Sequence, residues 1–125
     1  MSRHRFALLT IVACSIAALP SLAAAEGSSY VYCSNGIVCV KAPCPSGDAL
    51  DLTTGTVIKG VAIDTTRLPL LDRAAVDFPD KLHAGKIVVR GSIQHRDGEH
   101  SLPWLVATGV ERAAKQSERK HCSAR

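Results

Sequence analysis

The stretch KIVVRGSIQHRDGEHSLPWLVATGV, residues 86–110, carries the strongest indication of the fold. Apolar and β-branched residues fill both of its halves, and an Asp-Gly pair separates them, which is the pattern of a β-hairpin. A two-residue turn at that pair would place His95 opposite His100 and Gly91 opposite Trp104. The ring of Trp104 could then cover the bare backbone of the strand glycine. We therefore predict two long antiparallel strands here.

Two further hairpins are predicted upstream. The first runs over residues 30–40, because Asn35-Gly36 lies between β-forming residues and Asn-Gly favours the positive φ angles of a tight turn. The second joins residues 49–52 to residues 56–63 through a turn that ends at Gly55. Between the two hairpins, prolines at 43 and 45 remove two backbone donors and end the strand.

The chain between the second and third hairpins loses the alternation of a strand. One or two helical turns are predicted between Pro69 and Val76, since proline suits the first position of a helix. About six short strands and mid-strand glycines at 60, 91 and 109 favour a sheet that curls on itself. We predict a mainly β protein, a small, partly closed, OB-like barrel with one short helical insertion. A two-sheet sandwich or an α+β roll is the alternative.

Residues 1–25 have the layout of a secretory signal peptide. Arg3 and Arg5 precede an apolar run, and Ala23-Ala24-Ala25 supplies an A-x-A cleavage site. The run is shorter than the roughly 20 residues that a bilayer-spanning helix needs, so no stable membrane span is expected. Residues 11–14 also resemble a bacterial lipobox, and lipidation at Cys14 is the alternative to cleavage after Ala25. The expected location is the periplasm or the medium.

Removal of the leader would leave one domain of about 100 residues. The segment 26–112 is predicted to form this single small β domain, and residues 113–125 a basic, loosely ordered tail. The whole chain has a formal net charge of +4. The domain has few aromatic residues and no basic groove interleaved with them, so nucleic acid is not an expected partner.

Four cysteines remain after the leader, Cys33, Cys39, Cys44 and Cys122, and an exported chain meets an oxidising compartment. In the Asn-Gly hairpin, Cys33 and Cys39 would point to opposite sides, which disfavours a bond between them. We favour a local Cys39–Cys44 bond with a Cys33–Cys122 bond that closes most of the domain. The pairing of Cys33 with Cys44 and of Cys39 with Cys122 stays open.

The segment from Cys39 to Ser46 contains a distinctive C-x4-C-P motif. Together with the Thr54-Gly55 turn and the strand at residues 85–91, it resembles a family of small exported bacterial domains of unknown function. The resemblance covers roughly residues 30–112. It implies an exported bacterial single domain, and it brings no substrate, cofactor or catalytic residue.

The candidate binding loop is Lys41-Ala42-Pro43, between two cysteines. A stiff loop that presents one basic side chain suits surface binding, and it also resembles the loops of serine protease inhibitors, because rigidity lowers the ordering cost of binding. His95 and His100 are weak metal candidates, since two imidazoles offer too few ligands for a complete site.

The sequence has no G-x-S-x-G or H-E-x-x-H motif, so no catalytic residue and no cofactor is assigned. The expected function is therefore that of a non-enzymatic, exported domain with a binding or structural role in the cell envelope. Its partner would be a periplasmic protein or a small ligand. A protease inhibitor centred on Lys41 and a small periplasmic enzyme or metal binder are the alternatives.

Overall fold

The computed structural model describes residues 27–96 and 101–122. These residues form five strands, two short α-helices and a C-terminal 3-10 helix. In chain order the elements are β1 (Ser28–Ser34), β2 (Gly47–Asp51), β3 (Val57–Asp64), α1 (Leu70–Arg73), α2 (Phe78–His83), β4 (Ile87–His95), β5 (Pro103–Ala113) and the 3-10 helix (Gln116–Cys122).

The five strands close into a barrel in the order β1-β2-β3-β5-β4, with β4 paired back to β1. All neighbouring pairs are antiparallel except β3 and β5, which run parallel. This order, with the helical connection between β3 and β4, is that of an OB-like barrel. The prediction of a mainly β, OB-like barrel is confirmed, but the described residues form five strands and not about six, and the sheet is fully closed and not partly closed.

The hairpin predicted at Asn35-Gly36 is wrong. β1 pairs instead with β2, so that Ser34 lies opposite Gly47 and residues 35–46 form a loop. Gly47 allows this pairing because the ring of Tyr32 occupies the space that a Cβ would fill. The second predicted hairpin is confirmed as β2 and β3, with Gly55 in the turn at a φ of 73°.

The predicted register of the third hairpin is also wrong. Gly91 lies opposite Ala107, not Trp104, and His95 lies opposite Pro103 at the start of β5. The connection is therefore longer than two residues, and its residues 97–100 lie outside the described part of the chain. The observed register fully buries Leu105 and Ala107 inside the barrel, and the apolar area that this removes from water favours it.

The barrel interior is apolar, and the helical connection closes one end of it. Helical turns predicted between Pro69 and Val76 are present as α1, but α2 was not predicted. Phe78 and Leu82 stand four positions apart on α2 and are both buried. They belong to one core cluster with Tyr30, Tyr32, Ala49, Val61, Leu68, Ile87, Val89, Leu105 and Ala107.

The C-terminal segment differs from the loosely ordered tail predicted for residues 113–125. β5 continues to Ala113, and the 3-10 helix that follows is fixed to the barrel. A guanidinium nitrogen of Arg119 donates a hydrogen bond to the carbonyl oxygen of Ala84 at 3.1 Å, and Nε2 of His121 lies 3.0 Å from the carbonyl oxygen of Val31. Residues 123–125 lie outside the described part.

The two disulfides have the pairing that we favoured from the sequence. Cys33 is bonded to Cys122 across 89 positions of the sequence, and Cys39 is bonded to Cys44 across 5. The first bond ties the end of β1 to the end of the 3-10 helix. Gly85 makes room for it, because a Cβ there would fall 2.7 Å from Sγ of Cys122. Two disulfides are typical of proteins in an oxidising compartment.

Candidate binding loop at the end of the barrel

The connection between β1 and β2 is anchored by one buried side chain. Asn35 is 9% exposed, and its amide nitrogen donates to the carbonyl oxygen of Pro45 at 2.9 Å and to a carboxylate oxygen of Asp48 at 3.3 Å. Its side-chain oxygen accepts from the N–H of Ile37, and its own N–H donates to the carbonyl oxygen of Ser46. These bonds join the two legs of the loop at its base.

The Cys39–Cys44 bond fastens the outer part of the same loop, with 5.7 Å between the two Cα atoms. The candidate residues Lys41, Ala42 and Pro43 lie inside this ring, and the Ala42–Pro43 peptide bond is cis. We refer to residues 35–46 as the clipped loop. The disulfide ring and the hydrogen bonds at the base of the loop restrict its conformations. The loop therefore loses little conformational entropy when a partner binds.

The clipped loop exposes apolar side chains. Val38 is 92% exposed, Val40 is fully exposed and Ile37 is about half exposed. Lys41 stands next to Val40 and is exposed as well. Large apolar side chains in such positions contribute nothing to the core, and several of them on one exposed loop make that loop a candidate interaction site. The prediction had named Lys41, Ala42 and Pro43 and had missed the valines on their N-terminal side, although the sequence shows them.

The two histidines named as weak metal candidates do not have the predicted cross-strand register, and their distance lies outside what the structure describes. The register places His95 opposite Pro103, and His100 lies outside the described residues. A different group, Cys33, His121 and Cys122, brings its ligand atoms within 4.8 Å of one another. The two sulfurs of that group are bonded to each other, and the thiolate, not the disulfide, is the metal ligand.

The shifted carboxyl groups of the described residues are held in ion pairs. Hydrogen bonds from Arg96 and Thr66 lower the pKa of Asp64 to about 2, and the nearest Arg96–Asp64 contact is 2.6 Å. Hydrogen bonds from Arg112 and from the N–H of Lys115 lower the pKa of Glu118 to about 2. A general acid at neutral pH needs the opposite shift, so neither carboxyl group is suited to that role.

Two other features of the barrel concern its aromatic residues. Burial raises the pKa of both Tyr30 and Tyr32, so their hydroxyl groups stay protonated at neutral pH. The guanidinium of Arg96 lies 4.4 Å from the centre of the Trp104 ring, a cation–π contact beside its ion pair with Asp64. These contacts fix the start of β5 against the end of β3.

Comparison of the chain with protein-family models, with curated proteins and with solved structures found no match. The resemblance to small exported bacterial domains stays a prediction. Among the described residues, no helix has the length and apolar character needed to cross a membrane.

Proposed function

We propose that this chain is an exported binding domain of the bacterial cell envelope, in the periplasm or released from the cell, and that it acts through the clipped loop without catalysing a reaction. The observation that carries this proposal is the combination of exposed apolar side chains and a fixed backbone in residues 35–46. Val38 and Val40 bury almost none of their surface within the described residues, so a partner could cover both side chains.

The physical basis of binding is preorganisation. The ring between Cys39 and Cys44 and the hydrogen bonds of Asn35 hold the loop in one shape, so association costs little conformational entropy. Burial of the two valines by a partner would then contribute about 1.5–3 kcal/mol for each side chain. This is enough for a specific contact when neighbouring groups add to it.

Co-sedimentation with isolated cell envelopes tests the proposal. The protein from Glu26 onward, exported behind a host leader, should bind envelopes saturably, and the double variant Val38→Asp/Val40→Asp should bind at least tenfold more weakly. The matched control is Thr53→Asp/Thr56→Asp, which adds the same charges to exposed positions in the β2–β3 turn. Equal binding by both variants, or no binding by the unmodified protein, would refute the proposal.

Inhibition of a serine protease is a second candidate, and the exposure of Lys41 inside a disulfide ring favours it. A trypsin-like enzyme accepts a basic side chain in its specificity pocket. Titration of trypsin with the protein should then show stoichiometric loss of activity, and the loss should disappear in Lys41→Ala but not in Lys59→Ala, which changes an exposed lysine on β3. Full trypsin activity at a molar excess of the protein would exclude this function.

A further inference from the structure

Three connections of the barrel meet around Cys33. β1, β3 and β5 run in the same direction, because β1 and β3 are each antiparallel to β2 and β5 is parallel to β3. The segments that follow these strands leave the sheet in the same direction, and two contacts of Cys33 at the end of β1 join them: a backbone bridge to Ala84 and the disulfide to Cys122. They are the clipped loop, the helical connection of residues 65–86, and residues 114–122. We call this the helical end.

The exposed large apolar side chains of the described residues all belong to the helical end. Ile37, Val38 and Val40 lie on the clipped loop, and Leu70, Leu71 and Val76 lie on the helical connection. Apart from Ile37, all of these are at least 70% exposed, and Val40 and Val76 are fully exposed. Side chains exposed to this degree protrude from the surface and do not line a groove.

The net positive charge of the chain also lies at the helical end. The strands and remaining described residues balance four Lys and Arg with four Asp and Glu. The helical end carries eight basic residues and four acidic ones, which accounts for the whole formal charge of +4 because the residues outside the described part also balance. The basic residues are Lys41, Arg67, Arg73, Lys81, Lys86, Lys115, Arg119 and Lys120, and the acidic ones are Asp72, Asp77, Asp80 and Glu118.

We propose that the helical end binds the surface of an anionic phospholipid bilayer. This inference rests on the proposed function and names the partner of the clipped loop. Protruding apolar side chains enter the interfacial region of the bilayer, and the lysines and arginines around them attract the anionic headgroups. A bilayer accepts separate apolar tips without a complementary shape, whereas a protein partner would need a matching pocket for each of them.

Vesicle binding tests the inference with a defined probe. The protein from Glu26 onward contains every strand of the barrel, since these lie between Ser28 and Ala113. It should bind vesicles that contain phosphatidylglycerol at least tenfold more tightly than vesicles of phosphatidylcholine alone. Binding should weaken as salt rises from low to physiological ionic strength, because salt screens exposed charges.

Two variants separate the apolar and the charged contributions. Val38→Asp/Val40→Asp should lower vesicle binding at least tenfold, and Arg67→Glu/Arg73→Glu should lower it only for the anionic vesicles. The control Thr53→Asp/Thr56→Asp at the opposite end of the barrel should stay within twofold of the unmodified protein. All of these positions are exposed, so unchanged urea midpoints will show that the variants remain folded.

The outcomes distinguish this inference from the proposed function. Absence of vesicle binding, equal binding to both lipid compositions, or equal effects of the loop variant and its control would overturn the inference. If envelopes bind the protein through the clipped loop while pure lipid vesicles do not, the proposed function stands and the partner is a protein or a cell-wall polymer. If neither envelopes nor vesicles bind, both proposals fail.

Discussion

Removal of the two disulfides should reveal very different contributions to stability. In the chain-entropy description, a cross-link stabilises by an amount that grows with the logarithm of the loop it closes. The sequence separation of 89 for Cys33–Cys122 corresponds to about 4–5 kcal/mol, and the separation of 5 for Cys39–Cys44 to about 2 kcal/mol. The long bond also holds the 3-10 helix on the barrel, so its removal would release the contacts of that helix as well.

The measurement is urea unfolding of Cys33→Ala/Cys122→Ser and of Cys39→Ser/Cys44→Ser, followed by the fluorescence of the single tryptophan, Trp104, and by circular dichroism. Coincident transitions will show that unfolding is two-state and that the free energies can be compared. The loop variant should lose about 2 kcal/mol, and the long-range variant should lose at least twice as much. An equal or larger loss in the loop variant would refute the reasoning, and so would a loss below about 2 kcal/mol in the long-range variant.

Three further predictions concern single residues. Gly91→Ala should lower the free energy of urea unfolding by about 2–3 kcal/mol, because its Cβ would fall 2.3 Å from the carbonyl oxygen of Val106. Gly109→Ala is the control, since the space around its Cβ is open, and it should change the free energy by no more than about 0.5 kcal/mol. Equal effects of the two variants would contradict the packing. Asn35→Ala should lower the free energy of unfolding by about 2 kcal/mol, because it leaves buried hydrogen-bonding groups without a partner. It should also speed proteolysis of the clipped loop, and an unchanged cleavage rate would contradict the anchor role of Asn35. The pKa of Glu118 is about 2, against an ordinary value of 4.5, so its charge stabilises the folded state above pH 4.5 and this stabilisation is lost as the pH falls toward 2. In acid titrations, the difference in unfolding free energy between the unmodified protein and Glu118→Gln should therefore shrink over this interval. A difference that grows would contradict the prediction.

Local signals predicted those parts of the fold in which local and tertiary preferences agree. The β2–β3 hairpin follows from alternating residues around a glycine turn, and β4 follows from its β-branched run. The disulfide pairing followed from loop length and from the presence of a cysteine in the C-terminal segment. That cysteine also indicated that the segment is attached to the barrel, which the prediction of a loose tail did not take into account.

The wrong predictions have a common physical cause. Asn35-Gly36 is a strong turn signal, but the side chain of Asn35 is buried and bonds to Pro45 and Asp48, which only the folded chain brings near it. The register of β4 and β5 was predicted from a local Asp-Gly turn, whereas burial of Leu105 and Ala107 decides it. In the first case tertiary hydrogen bonds outweigh the local turn preference, and in the second case the burial of apolar side chains does so.

The sequence predicted where the candidate site lies, but it did not predict which further residues belong to the site. Cysteine spacing located the stiff loop around Lys41, because the bond between Cys39 and Cys44 closes a short ring around that residue. The apolar side chains of the helical connection could not be joined to that loop from sequence, since Leu70 and Leu71 have the spacing of an ordinary helix. Only the folded chain shows that both segments lie at one end of the barrel, where Cys33 at the end of β1 is bridged to Ala84 of the helical connection.

The two disulfides lie at the end of the barrel where we place binding, and they act there in different ways. The Cys33–Cys122 bond joins β1 to the 3-10 helix at the helical end, and the Cys39–Cys44 bond stiffens the loop that leaves the same end. The β2–β3 turn at the opposite end contains no cysteine and is held by backbone and side-chain hydrogen bonds. A barrel that needed cross-links only for stability would gain as much from a bond at either end, because the entropic gain depends on loop length and not on location. Their placement fits the binding surface that we propose at the helical end, because a segment ordered before contact loses less entropy on binding.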